Sequence, residues 1–158
     1  MKVYRGYEIL DVLDLMDSIL FDSSLKMFVD NNPHHYRDLI GKDIEVLADM
    51  MCIMDDEENS YMFIDTNDYS YTIDVAMWVS RDDNIGFKNT MAYFRYLKNI
   101  YKGMTNKVNI KASCRTDTSL PIVEKLNGKR GVTVKVGTKT IDSLLGYGFA
   151  DVHMVCEI

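Results

Sequence analysis

One stretch of the chain decides its fold: residues 71–114, which read YTIDVAMWVSRDDNIGFKNTMAYFRYLKNIYKGMTNKVNIKASC. Its first ten residues are rich in Tyr, Ile, Val and Trp, which is typical of a β-strand. A long helical pattern follows over residues 86–104, and residues 108–114 alternate as a second strand. We predict that the two strands lie parallel in one sheet, because a long helix connects them. The helix is predicted to pack on this sheet through Tyr93, Leu97, Ile100 and Met104.

A short helix and further strands follow this stretch. Residues 116–126 read TDTSLPIVEKL, with Pro121 near the first turn, where its missing N–H costs little. Asp117 or Thr118 is expected to cap this helix. The remaining pattern predicts a strand over residues 131–136, a short helix or turn over residues 140–149, and a closing strand over residues 151–158. Residues 129 and 130 add two basic side chains after the turn that ends the short helix.

The N-terminal part of the chain reads as helices followed by a hairpin. Apolar spacing predicts a helix over residues 9–20, its continuation over residues 24–30, and another helix over residues 34–54. Residues 60–66 and 70–80 then predict two antiparallel strands. The whole chain, residues 1–158, is therefore expected to form one α/β (α+β) domain with a single mixed sheet of about five to seven strands flanked by helices.

Composition excludes several classes of protein. Apolar residues make up 47% of the 158, so the chain is not disordered, and no apolar run approaches the roughly 20 residues of a membrane span. The N-terminus lacks an apolar signal-peptide core, and we therefore expect a cytoplasmic location. Cys52, Cys114 and Cys156 are odd in number and far apart, which predicts free thiols and no metal site. Four successive acids begin the segment 55–59, which we interpret as a solvated turn.

Charge is distributed unevenly along the chain. The formal net charge is −6, yet residues 98–139 hold ten basic and only two acidic side chains. This basic block predicts either an anion-facing surface or a simple balance of the acidic remainder within one fold. We do not expect a nucleic-acid partner, because no recognisable binding motif accompanies the block and the rest of the chain is acidic.

The order of elements around the central stretch resembles a known family. A strand, a long helix, a strand and a short helix ending in Glu124-Lys125-Leu126 resemble the C-terminal half of a GNAT (Gcn5-related) N-acetyltransferase, in which that helix commonly ends near YEKLGF. Gly128 stands one place later than the family glycine. The resemblance covers most of the chain as an order of elements, and residues 74–128 as motifs. It implies a GNAT-like fold, with acetyl-CoA as acyl donor to an amine.

The resemblance also implies a cofactor site at the start of the long helix. Family members hold the acyl-CoA pyrophosphate on backbone N–H groups of a glycine loop there, where a helix N-terminus favours anions. In the corresponding segment RDDNIGF, residues 81–87, Arg81 stands for the first residue of the motif, and Asn84 and Gly86 occupy its two glycine positions. The implied cofactor-binding residues are Arg81, Asn84, Gly86, Phe87, Lys88 and Lys125.

Two departures from the family pattern keep a second function open. Asp82 and Asp83 bring negative charge to the loop, which would also fit a polar cap made by Asp83 or Asn84. Val123 stands where the family often has a catalytic tyrosine, so no catalytic residue is identified. The alternative is a non-catalytic GNAT-fold protein that acts through a protein partner. The frequent Asn, Lys, Asp and Tyr would suit a phage or mobile-element protein, located in the host cytoplasm or virion.

Overall fold

The structure is a computed structural model of the chain. It describes residues 1–20, 26–29, 48–67, 70–80, 83–144 and 146–158. For residues 20, 26–29, 67, 83–87 and 142 it describes the backbone alone.

The described residues form eight strands, one 3-10 helix and three α-helices. The N-terminal elements are β1 (Lys2–Arg5), a 3-10 helix (Gly6–Val12) that continues into α1 (Leu13–Leu20), β2 (Lys26–Val29), β3 (Met50–Met54), β4 (Ser60–Asn67) and β5 (Thr72–Ser80). The C-terminal elements are α2 (Asp83–Tyr101), β6 (Lys107–Arg115), α3 (Ser119–Glu124), β7 (Val132–Asp142) and β8 (Tyr147–Glu157).

All eight strands belong to one mixed sheet, in the order β1-β3-β4-β5-β2-β6-β8-β7. β2 separates β5 from β6 over part of their length, and over the rest β5 and β6 pair directly with each other in parallel. Every other pair of strands is antiparallel. This arrangement confirms the predicted mixed sheet, and it confirms that the strands on either side of the long helix are parallel. The sheet has one strand more than the upper limit of the prediction.

Helices cover the sheet on two faces. α2 and α3 pack on one face, and the 3-10 helix with α1 packs on the other through Ile9, Val12, Met16 and Ile19. β3 contributes to both layers, because Met51 and Ile53 face the first and Met50, Cys52 and Met54 face the second. The predicted helix over residues 9–20 is confirmed, although residues 9–12 have 3-10 geometry.

Two N-terminal segments are strands where the sequence predicted helices. Residues 26–29 form β2, which pairs with β5 and β6, so long-range backbone pairing overrides the local helical pattern. Residues 50–54 form β3, although they were assigned to the helix over 34–54. All five are buried, and a strand buried on both faces shows no alternation that would distinguish it from a helix. Of the rest of that prediction, residues 34–47 lie outside the described residues, and residues 48–49 form a turn.

The long helix packs as predicted over most of its length. Tyr93 and Leu97 are buried in the core, and Ile100 is half-buried against it. Met104 is 58% exposed, so its predicted place in the core is wrong. The reason is that α2 ends at Tyr101 and the chain turns at Gly103, whose φ of 83° leaves the helical region.

The C-terminal part is a hairpin of two long strands. β7 runs to Asp142 and β8 starts at Tyr147, with turn residues 143, 144 and 146 between them, so of the predicted short helix or turn over 140–149 the turn is confirmed and the helix is wrong. Ile141 and Leu144 gave that segment its helical pattern, and they are 86% and 96% exposed. A helix there would therefore have no core on which to bury its apolar face.

Two general predictions can be compared with the described residues. The three cysteines are free thiols, as the sequence predicted, and all three are buried. Among the described helices, none is both long and apolar enough to cross a membrane.

Candidate functional site

The candidate site lies where the two parallel strands separate. β5 and β6 pair from Thr72 with Asn109 to Val75 with Ala112, and their direct pairing stops there. The next residue of β5, Ala76, is a β-bulge: Phe63 of β4 lies opposite Met77, and Ile64 lies opposite Val75. A bulge bends its strand and leaves the extra residue outside the regular ladder. The bulge therefore turns the second half of β5 away from β6. We call the resulting gap, between residues 77–80 of β5 and 113–115 of β6, the β5–β6 cleft.

Helix α2 begins at the open end of this cleft. β5 ends at Ser80 and α2 starts at Asp83, so only two residues separate the strand from the helix. The first four N–H groups of an α-helix have no partner within the helix, and the macrodipole adds positive charge there. The carboxyl end of β5 thus carries backbone donors suited to an anion.

The structure places the predicted cofactor residues on two helices. Arg81 lies outside the described residues. Asn84, Gly86 and Phe87 lie in the first turns of α2, so these residues belong to the helix and not to a loop before it. Lys125 is exposed at the C-terminal cap of α3, and α3 packs on the same face of the sheet as α2.

Lys88, the remaining predicted residue, is exposed on α2 and lines an open pocket of about 340 Å³. Asp55, Asp56 and Glu57 line the same pocket. The Asp55 carboxylate accepts hydrogen bonds from the backbone N–H groups of residues 59 and 60, both at 2.7 Å. Asp56 forms an ion pair with the N-terminal amine. Asp55 therefore closes the β3–β4 turn and Asp56 ties the turn to the N-terminus, in agreement with the interpretation of residues 55–59 as a turn.

Strand β2 occupies the β5–β6 cleft. It pairs with β5 on one side, where Lys26 lies opposite Ser80 and Met27 lies opposite Val79. Val29 lies opposite Trp78 of β5 and also opposite Cys114 of β6, so at this level β2 is the strand that joins the two separated strands. Sequence reasoning missed this feature, because it assigned residues 24–30 to a helix.

The space under the cleft is closely packed. A cavity of only about 10 Å³ lies between the sheet and the helices, at the lower limit of room for one water molecule. It is lined by Met62, Val75, Trp78, Thr90, Phe94, Ala112, Cys114, Val123 and Met154. This lining is almost wholly apolar, so it offers surface for an apolar group and very few polar contacts.

The cleft walls contain few groups suited to acid–base chemistry. Val123 lies on the buried side of α3, and its side chain cannot transfer a proton. Burial raises the pKa of the Cys114 thiol to about 12, although a hydrogen bond with Ser119 opposes the shift. The Ser119 hydroxyl donates to the Arg115 carbonyl at 3.2 Å, which fixes the start of α3 on the end of β6. Cys114 is therefore a neutral, buried residue.

A fixed cation lies at the carboxyl end of β6. The Arg115 guanidinium donates to both oxygens of Asp117, at 2.6 and 2.7 Å, and its carbon lies 3.7 Å from the centre of the Tyr147 ring. Hydrogen bonds from Arg115 hold the pKa of the Asp117 carboxyl below its usual range. Thr118 makes no side-chain capping hydrogen bond, and Asp117 is turned toward Arg115. The Arg-x-Asp spacing was the available signal for this pair, and sequence reasoning did not use it.

Asp74 is a carboxylate in the half of β5 that still pairs with β6. It is exposed, lies opposite Asp65 of β4, and neighbours Lys111 of β6. The pKa of Asp65 is raised by burial and then by the charges of Asp74 and Asp49. In the described residues, no three His, Cys, Asp or Glu side chains converge as a metal site would require.

Comparison with solved structures identifies the fold. The chain is similar to an aminoglycoside 6'-acetyltransferase type Ii, with 15% identity, a TM-score of 0.53, and coverage of 99% of this chain and 97% of that one. It is also similar to a protein assigned as a phosphinothricin N-acetyltransferase, with 14% identity, a TM-score of 0.50, and coverage of 99% and 98%. No family model and no curated protein matches the sequence. The chain therefore has the GNAT acetyltransferase fold, in a divergent form.

Proposed function

We propose that this protein is an N-acyltransferase that uses acetyl-CoA as acyl donor to an amine. The observation that carries the proposal is the bulge at Ala76, which separates parallel β5 from β6 directly beside the N-terminus of α2. Ligands of sheets with parallel strands lie outside the carboxyl ends of the strands, where neighbouring strands diverge. The GNAT fold of the similar acetyltransferases supports the same assignment.

The backbone at this site fits a cofactor that carries phosphates and amides. The first-turn N–H groups of α2, over residues 83–86, would hold a diphosphate, and Lys88 and Lys125 would add positive charge. The bulge at Ala76 leaves backbone groups outside the ladder, which would orient an acyl carbonyl. Asp83 in the first turn opposes an anion by charge, so we expect the affinity to be modest.

The transfer would be direct, without a covalent intermediate on cysteine. Acetyl-CoA would supply an activated thioester that an amine can attack. A cysteine can form an acyl-enzyme only as its thiolate. Burial raises the pKa of Cys52 and Cys114 to about 12 and that of Cys156 to about 11, so all three are neutral near pH 7. We expect the chain's contribution to be positioning of the two reactants by the backbone.

Isothermal titration with acetyl-CoA and with free CoA tests the proposal. We expect saturable binding of acetyl-CoA that weakens with added salt, because exposed charges are screened over about 10 Å at 0.1 M. Asp82→Asn together with Asp83→Asn should tighten binding, since two negative charges leave the surroundings of the diphosphate. Lys88→Ala should weaken it. Lys102→Ala is the matched control, because Lys102 is an exposed lysine beyond the other end of α2.

The outcome also distinguishes a second function. If neither acetyl-CoA nor CoA binds saturably at millimolar concentration, either to the wild type or to a variant in which β2 is released from the cleft, and a panel of amines releases no CoA, the enzyme proposal is wrong. The protein would then be a non-catalytic GNAT-fold protein that acts through a protein partner. The occupied cleft and the absence of a tyrosine at position 123 favour this alternative. Its origin in a phage or mobile element stays a prediction from composition.

A further inference from the structure

Strand β2 uses the backbone groups that a ligand in the β5–β6 cleft would need. Neighbouring strands lie about 4.8 Å apart, so a gap that admits one strand between β5 and β6 spans about 9.6 Å. Lys26, Met27 and Val29 pair with the β5 edge over residues 78–80, and Val29 also pairs with Cys114. Each backbone N–H or C=O engaged by β2 is not available to a second extended chain.

An acyl-CoA would compete for the same edges. The arm between its diphosphate and its thioester is a flexible chain with two amide groups, which can hydrogen-bond to a strand edge as a peptide does. The start of α2 fixes where the diphosphate would lie, and the bulge at Ala76 lies further into the cleft. An arm that connects these two points must therefore run beside residues 77–80, where β2 lies.

We propose that β2 is an internal competitor of the acyl donor, so that the cofactor binds only when Lys26–Val29 leaves the β5–β6 cleft. This inference rests on the proposed function, since it concerns the same site. β2 is four residues long and is held by backbone pairing at three positions of β5 and one of β6. A short strand with few pairs can exchange with a ligand. The apparent dissociation constant then equals the intrinsic one divided by the fraction of molecules with an open cleft.

A single substitution allows β2 to be locked in place. Val29 lies opposite Cys114, and residues directly opposite in an antiparallel pair project to the same face with Cβ atoms about 4.5–5.5 Å apart. The variant Val29→Cys should therefore form a disulfide with native Cys114 under an oxidant, with small local adjustment. Cys114 is free in the wild type. Lys26→Cys is the control, because it adds a thiol to the same strand opposite Ser80 and so has no cysteine partner.

A second variant releases β2. Met27→Pro with Val29→Pro removes two backbone N–H groups and restricts the chain at two paired positions, which disfavours a strand in the middle of a sheet. Met27→Ala with Val29→Ala is the matched control, since it changes the same side chains and keeps both N–H groups. Thermal unfolding of each variant, followed by circular dichroism, verifies that the rest of the fold is intact.

Titration with acetyl-CoA then gives three distinguishable outcomes. The proposal expects the proline variant to bind about tenfold or more tightly than the wild type, the alanine variant to stay near the wild type, and the oxidised Val29→Cys protein to lose binding until it is reduced. Equal binding by all variants, locked or released, would overturn the competition and leave the proposed function standing. Absence of binding in every variant, including the released one, would overturn the proposed function and the competition with it. Disulfide formation by Val29→Cys and not by Lys26→Cys would still report β2 in the cleft.

Discussion

Substitutions at two positions of the long-helix pattern provide a sharp test of its packing. The sequence assigned Leu97 and Met104 to one apolar face, whereas the structure buries Leu97 to 2% exposure between α2 and the sheet and leaves Met104 58% exposed. Leu97→Ala removes a buried side chain from a packed core, which costs roughly 2–5 kcal/mol of unfolding free energy. Met104→Ala should change that free energy by less than about 0.5 kcal/mol, as substitutions outside the core usually do.

Urea unfolding measures both effects in one experiment. With an m-value of about 2 kcal/mol/M, within the range for small proteins, Leu97→Ala should lower the midpoint by about 1–2.5 M. Met104→Ala should shift it by less than about 0.3 M. Equal shifts for the two variants, or an unchanged midpoint for Leu97→Ala, would show that α2 buries a different face. A changed m-value would mean that the comparison does not report stability alone.

Three further predictions concern buried or charged groups. Tyr93→Phe should lower the unfolding free energy by about 1 kcal/mol in urea titration, because the Tyr93 hydroxyl donates to the Ser60 carbonyl at 3.1 Å and that carbonyl keeps its bond from the Asp55 N–H. Asp65→Asn should raise the unfolding temperature at pH 7 and have no effect below pH about 3.5. The reason is that folding raises the pKa of Asp65, so the charge of its carboxylate opposes folding only above the ordinary carboxyl pKa. A gain in unfolding temperature that persists at low pH would contradict this cause. A thiol reagent such as DTNB should label native protein slowly and unfolded protein at three sites, since the cysteines are free and buried; rapid labelling of Cys114 would contradict its burial and raised pKa.

The sequence predicted the centre of the fold because its periodicity changes there clearly. Residues 71–80, the helix after them and residues 108–114 each carry a pattern that fits only one kind of element, and the structure has β5, α2 and β6 at those places. The pattern fails where burial removes the alternation, as in Met50–Met54, which is buried on both faces. It also fails over residues 140–149, where apolar spacing occurs in an exposed turn.

The main features of the candidate site have no local signature in the sequence. The bulge is an alanine, a residue with no special tendency to form one, and its presence follows from the register of β4 against β5. β2 pairs with partners that follow it by about 50 and 85 residues, so its four residues read alone gave the wrong element. The sequence placed the start of α2 at residue 86, three residues later than its observed start at Asp83, because the polar segment before the apolar pattern reads equally well as a loop.

The position of β2 also constrains the order in which the chain assembles during synthesis. Lys26–Val29 is made before either strand with which it pairs, and β6 ends at Arg115. At about 5–20 residues per second, the ribosome needs roughly 4–17 s to complete the residues from Val29 to Arg115. Until Ser80 is made, roughly 3–10 s after Val29 at the same rate, β2 has no partner strand, and its β6 side stays unpaired until Arg115 is made. Insertion of β2 between β5 and β6 should be a late event in folding, after β5 and β6, which α2 connects, have formed their parallel pair. That pairing depends on non-local contacts, which form slowly.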